Sequence, residues 1–313
     1  MKIGCVVVLR GGMQTPAPAP RYTAVREMAL HAEALGFDAL WLYDHLLYRD
    51  AGHPPVGIWE CWTVLAALAE ATQRVELGTL VLCNQFRHPA LVAKMASTMD
   101  EVSNGRFILG IGAGWNEPEF QAFGMPFDHR VTRLEEALHI ITPLLREGHV
   151  DFTGRYYQVR DCEIVPRGPR ASGPPLLIGG SGPRMLRLAA QYADMWNVAY
   201  LSVPASLVAP QAQLEAACAE VGRDPATLAV TATIALSYPE LGVPDSAMTE
   251  YLSGSTAEIV AALHGYEQMG VAHLMFQCFQ YNETALAWLA EAVQEYRRES
   301  EAAEAGCRDK DQG

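Results

Sequence analysis

Two stretches of this chain place chemically useful groups at the ends of short apolar runs. The first, Pro174 to Asn197, reads PPLLIGGSGPRMLRLAAQYADMWN. Leu176 to Ile178 is a strand-like run closed by Gly179-Gly180-Ser181-Gly182, after which Met185, Leu188, Ala189 and Tyr192 recur at helical spacing. Pro183 suits the first helical position, and Ser181 or Gly182 suits the cap. Glycine lets backbone amides approach a ligand, and the positive end of a helix dipole favours an anion. The turn therefore reads as a phosphate cradle, to which Arg184 adds a charged contact. A plain strand-to-helix connection is the other reading, because glycine turns serve that purpose throughout α/β proteins. Two sharper motifs are excluded. Pro183 stands where a nucleophile elbow has its last glycine, which argues against Ser181 as a nucleophile, and no Gly-Lys-Ser/Thr triplet is present for a P-loop.

The second stretch ends in Asp44-His45, at the close of the apolar run Ala39 to Tyr43. A carboxylate and an imidazole at a strand end can bind a cofactor and move a proton near neutral pH. A turn-capping Asp44 beside a polar loop histidine is the alternative. Metal chemistry is not expected, since there is no H-x-H on the first strand and no H-E-x-x-H anywhere. Two further runs end in glycine-rich segments, Gly78 to Cys83 and Gly110-Ile111-Gly112-Ala113-Gly114-Trp115-Asn116. The latter is not a dinucleotide fingerprint, because Trp115 occupies the place of its last glycine. Alternating glycines weaken a strand unless something bulky or planar lies against the backbone, which here suggests a ring system.

The elements that must position these groups alternate along the chain. Apolar runs at 3–8, 39–43, 75–82, 106–111, 176–178, 196–200, 228–238 and 273–279 read as strands. Helical periodicity separates them, including 59–71, 131–146, 206–221 and 284–298. A small hairpin over 152–164 is inserted before the fifth strand, and a long polar and aromatic loop follows the fourth. Eight strand-helix pairs without a break in composition predict a single (β/α)₈ TIM barrel over residues 1–300, with a doubly wound sheet as the alternative and a disordered polar tail over 301–313. Loops after the strands are the long ones, so the site belongs on that face.

At 313 residues with half of them hydrophobic, the chain can bury a large core. Its net charge of −13 argues against nucleic acid and anionic membranes as partners and leaves small molecules. No apolar run reaches the length of a membrane span, and the start MKIGCVVVLRGG lacks a signal peptide's apolar core and cleavage site, so a cytoplasmic protein is expected. The seven cysteines are scattered and form no C-x-x-C pair, which reads as reduced and mostly structural, with Cys83 the one to watch.

Asp44-His45-Leu46, Gly78-Thr79, Arg87-His88-Pro89, Ser103-x-Gly105-Arg106, Gly112-Ala113-Gly114-Trp115-Asn116-Glu117, Arg133-Leu134-Glu135-Glu136 and Gly179-Gly180-Ser181-Gly182-Pro183 together resemble the bacterial-luciferase-like family, in particular its branch using the deazaflavin coenzyme F420. The likeness runs from the first strand to the last helix. It implies a TIM barrel with an isoalloxazine-type ring over its mouth, Asp44 bonded to the ring and His45 at the reacting position. It also implies a bulge with a non-proline cis peptide at Leu80-Val81 backing the ring. Cys83, Ala113, Gly114 and Asn116 would line the cofactor, and Ser181, Gly182, Arg184 and Met185 would hold its phosphate.

One departure matters. In the F420-dependent sugar-phosphate dehydrogenases of this family a glutamate follows the glycine matching Gly114, whereas Trp115 stands there in this chain. That acid/base role is not carried over, and a sugar-phosphate substrate is not expected. Trp59, Trp62, Phe86, Trp115, Phe120 and Phe127 instead suggest an apolar or aromatic substrate pocket, with core packing as their other reading. The expected activity is hydride transfer between F420 and a small organic substrate by a homodimer. The alternatives are an FMN-dependent monooxygenase of the same family, a member that binds flavin without turnover and, remotely, a Ser181 hydrolase.

Overall fold

The computed structural model describes residues 1–13, 17–49, 54–242 and 250–310. Strands β1 (Lys2–Val6), β2 (Ala39–Leu42), β3 (Glu76–Thr79), β5 (Phe107–Gly112), β8 (Leu176–Gly179), β9 (Met195–Leu201), β10 (Ala229–Leu236) and β11 (Val271–Cys278) pair in parallel, and the pairings β3–β5 and β1–β11 close them into a barrel. A two-residue strand, β4 (Leu82–Cys83), carries the third stave upward beside β5. The run 75–82, expected as one strand, is thus divided at Leu80-Val81, whose peptide bond is cis.

Among the described residues, the longer helices pack between or around the staves: α1 (Tyr22–Ala34), α2 (Cys61–Ala71), α3 (Pro89–Val102), α5 (Arg130–Arg146), α6 (Pro183–Tyr192), α7 (Val208–Val221), α8 (Thr256–Gln268) and α9 (Glu283–Lys310). Their local signals are ordinary ones. Glu60 caps α2 by accepting from the Trp62 and Thr63 amides, so the helix expected from Trp59 begins at Cys61. His88 caps α3 with Pro89 behind it, and Ser255 and Glu258 form a capping box on α8. The last helix, expected to end at Arg298, continues to Lys310. The hairpin lies between α5 and β8 as strands β6 (His149–Thr153) and β7 (Gln158–Glu163). No helix among the described residues is long and apolar enough to cross a membrane.

Helix-facing residues of the staves, such as Leu40, Leu77, Leu109 and Ile178, join the helices in the main core. The barrel interior holds a separate cluster of Val6, Ala39, Trp41, Ile108, Leu177 and Met275. Trp41 decides the small residues around it. A Cβ added at Gly78 would meet its ring at 2.2 Å, and one at Gly4 would meet its Nε1 at 2.9 Å. Lower in the barrel, Trp41 Nε1 donates to Nε2 of the buried His273 at 3.4 Å.

Candidate active site

A cavity of about 460 Å³ opens at the carboxyl ends of the staves, where barrel enzymes keep their sites. Its back wall is Val81. The Val81 side chain leans from the turn between β3 and β4 across the ends of β5 and β8, so that a Cβ at Gly112 would meet it at 2.8 Å and one at Gly179 at 3.1 Å. A Cβ at Gly110 would strike the Thr79 carbonyl at 1.9 Å. The alternating glycines, expected to leave room for a ring, are therefore filled first by the protein's own Thr79 and Val81. A ring would rest on Val81 and not on bare backbone.

Asp44 and His45 both line this cavity but have different partners. The buried Asp44 carboxylate accepts from the Cys83 amide at 2.9 Å and from Arg87 through both oxygens, at 2.8 and 3.2 Å. Arg87 also pairs with Glu60. Burial raises the Asp44 pKa against the pull of Arg87. Burial also works to lower that of Arg87, but Asp44 and Glu60 overcome it and hold the guanidinium charged. Asp44 thus ties the end of β2 to β4 directly and, through Arg87 and Glu60, to the start of α2.

His45 turns the other way. Its Nδ1 lies 2.9 Å from Oε1 of Glu119, whose Oε2 accepts from the amides of Leu46 at 2.8 Å and Leu47 at 3.4 Å. Glu119 sits on α4 (Glu117–Ala122), a short helix in the loop after β5 that the sequence reading left irregular. Asn116, expected to line the cofactor, instead donates from Nδ2 to the Leu47 carbonyl at 3.0 Å and fastens α4 to the loop after β2. Aromatic rings crowd His45, with centroids at 4.5 Å for Tyr48 and 5.5 Å for Trp115. Tyr200 joins the cavity mouth at the end of β9, with a left-handed φ of 61° where the register with β10 slips. Burial pushes the Tyr43 phenol up to about 12 and raises Tyr48 further from neutrality, so neither serves as a base near pH 7. Burial and the Asp44 charge likewise raise the Cys83 thiol, which stays protonated.

Of the other residues singled out in the sequence, Leu80, Ala113, Gly114, Ser181 and Met185 also line the cavity. Gly114 is held to glycine by its φ of 74° and by Cys83 Sγ, 2.6 Å from where its Cβ would stand. The aromatic set divides. Trp115 lines the cavity, whereas Trp62 packs edge-on against Phe107 in the core and Phe86 packs against Phe120, which continues to Phe127. Trp59 is half exposed and donates from Nε1 to the Pro20 carbonyl at 2.6 Å. Trp59, Trp62 and Phe86 thus do not form the pocket; spacing cannot tell a core face from a cavity face. Glu119, Tyr48, Tyr200 and the buried pair Asn197–Thr233 (3.2 Å) were missed. For Glu119 a signal existed: Asn116-Glu117-Pro118-Glu119 has the composition of a helix start.

The turn before α6 forms one end of the cavity, lined by Gly179, Gly180, Ser181 and Met185. Gly180 takes φ 135°, a glycine-only conformation, and its carbonyl accepts from Trp196 Nε1 at 2.8 Å. Gly182 occupies the N-cap, where it offers no side chain to the first-turn amides, and an added Cβ there would meet nothing within 4 Å. Uncapped amides beside open space fit a phosphate group. Arg184 points elsewhere, to Glu135 at 2.8 Å and to Thr132 on α5.

A family model for luciferase-like monooxygenases matches residues 1–240. The chain belongs to that family. Its relatives include an F420-dependent glucose-6-phosphate dehydrogenase of Amycolatopsis mediterranei, 36% identical over 54% of this chain and 50% of the relative. They also include the pyrimidine monooxygenase RutA of Rhizobium rhizogenes, 31% identical over 79% of this chain and 69% of the relative. The match thus spans about half the length of the dehydrogenase. Among solved structures, an F420-dependent secondary alcohol dehydrogenase in complex with an F420-acetone adduct superposes with a TM-score of 0.77 at 20% identity, over 93% of this chain and 97% of that one. At that identity the likeness shows the barrel fold. In this family member, Val81 backs the cavity and α6 begins at its edge without a side-chain cap.

Proposed function

We propose that the protein is an oxidoreductase that moves a hydride between coenzyme F420 and a small organic substrate, with His45 handling the accompanying proton. The observation that carries the reading is the His45 imidazole, held against Glu119 and facing a cavity that runs from Val81 to the uncapped N-terminus of α6. The deazaflavin, when bound, supplies hydride chemistry at its ring. The chain's own residues do the rest. Val81 backs the ring, and the Ser181 to Met185 turn takes the phosphate through backbone amides. Trp115, Tyr48 and Tyr200 narrow the mouth and limit water. Nε2 of His45 gives a proton to the substrate atom that gains charge, or takes one in the reverse direction.

A second reading, an FMN-dependent monooxygenase, is supported by the RutA relative, whose alignment covers the larger share of this chain. Titration of the apo-protein with oxidised F420 and with FMN separates the two. F420 is expected to bind more tightly, and tighter FMN binding with oxygen uptake on reduction would replace the first reading by the second.

A further inference from the structure

We propose that Glu119 is the positioning residue of His45: its carboxylate fixes the imidazole with a proton on Nδ1 and turns Nε2 toward the cavity. The inference rests on the reading of His45 as the proton-transfer group. An ionised carboxylate only accepts hydrogen bonds, so the ring nitrogen 2.9 Å from Oε1 is the donor in the neutral imidazole as well as in the imidazolium. The other nitrogen then carries the exchangeable proton.

Glu119 is built to hold that orientation. Its side chain is 2% exposed, so the contact is made away from competing water. Its second oxygen is held by the Leu46 and Leu47 amides at 2.8 and 3.4 Å, which stops the carboxylate from rotating away. The residue comes from α4, which Asn116 pins to the same loop through the Leu47 carbonyl. A clip needed only to order this loop would use the amide contacts alone; the oxygen on the imidazole is additional. In substrate reduction, with a bound reduced cofactor as the hydride source, the substrate heteroatom would take the Nε2 proton of the imidazolium. The ring is left neutral with Nδ1–H still donated to Oε1 of Glu119. Oxidation of the substrate runs the same proton back to Nε2.

Glu119→Gln tests this because the amide matches only one arrangement of its neighbours. Its oxygen must accept from the Leu46 and Leu47 amides, which leaves its NH₂ to donate to Nδ1 and forces the neutral ring to carry its proton on Nε2. The readout is ¹⁵N NMR of histidine-labelled apo-protein at alkaline pH, with the His45 signal assigned by its loss in His45→Gln. Wild type is expected to show Nδ1–H and Glu119→Gln to show Nε2–H. Turnover should fall by roughly 10²–10⁴-fold, the scale for a mis-set general acid or base, with cofactor Kd and substrate KM changed by less than about threefold. A wild-type ring protonated on Nε2 overturns the proposal even if the variant fails to fold. So does a Glu119→Gln enzyme with near-normal turnover, or one whose cofactor affinity falls in step with turnover. Because the NMR readout needs no cofactor, inactivity with both F420 and FMN would count against the proposed function and leave this inference standing.

Discussion

His45 and Glu119, 74 residues apart in sequence, meet at 2.9 Å because the loop after β5 folds into a helical turn over the end of β2. One carboxylate thereby holds both the imidazole and the backbone that follows it. Asp44 and His45, adjacent in sequence, thus take different partners, Asp44 being engaged by Arg87 and the Cys83 amide.

The first expectation is that His45→Ala lowers turnover by about a hundredfold or more while cofactor affinity stays near that of wild type, the loss typical of a positioned acid or base. Steady-state kinetics and a cofactor titration check it. Near-normal turnover on a substrate accepted by wild type would reduce His45 to a loop-shaping residue.

Gly182→Asp is expected to fold normally, because its φ of −70° suits any residue, its Cβ meets nothing within 4 Å, and aspartate is a favourable N-cap. The carboxylate would occupy the anion position, so cofactor affinity should fall about tenfold or more, a change of at least 1.4 kcal/mol. Unchanged affinity in the folded variant would remove the turn from the account of phosphate binding.

Asp44→Ala should lose stability as well as cofactor affinity. It takes from the mostly buried Arg87 its bidentate partner and leaves it paired with Glu60, a loss of roughly 1–3 kcal/mol, and it frees the Cys83 amide at the cavity edge. Denaturant unfolding measures the first effect. The double change Asp44→Ala with Arg87→Met should recover part of it, and a double variant no more stable than the single one would show that the ion pair is not the source.

His273 gives the fold an acid limit. Burial, then the charges of Lys2 and the N-terminus, depress its pKa from 6.5 to about 3. The unfolded chain therefore binds a proton that the native state refuses. The stability conferred by the neutral ring is full above pH 6.5 and declines as pH falls from 6.5 toward 3, by about 1.4 kcal/mol per unit. His273→Gln, which keeps an acceptor for Trp41 Nε1, should flatten the dependence of melting temperature on pH between 6.5 and 4. An unchanged slope would assign the acid sensitivity to other groups.

What the sequence determined by itself was whatever depends on neighbours along the chain. Period-two and period-3.6 patterns marked the staves and helices, and their count predicted the barrel. Asp44-His45 fell at a strand end, and Gly180 and Gly182 marked the turn before α6, because turn chemistry and helix caps are written in adjacent residues. The resemblance added the Leu80-Val81 bond, which is cis in the structure.

Tertiary structure decided what depends on barrel closure. Which face Trp62 or Trp115 takes follows from packing that their spacing does not encode, so one is core and the other lines the cavity. The glycines of β5 are small because Thr79 and Val81 press on them from the neighbouring stave, and Gly78 because Trp41 fills the barrel beside it. Glu119 reaches His45 only once β2 and β5 stand in the same ring of strands, and a carboxylate on a six-residue helix carries no local sign of the imidazole it will meet. Local interactions set the elements, and the interactions that give the site its chemistry join residues tens of positions apart.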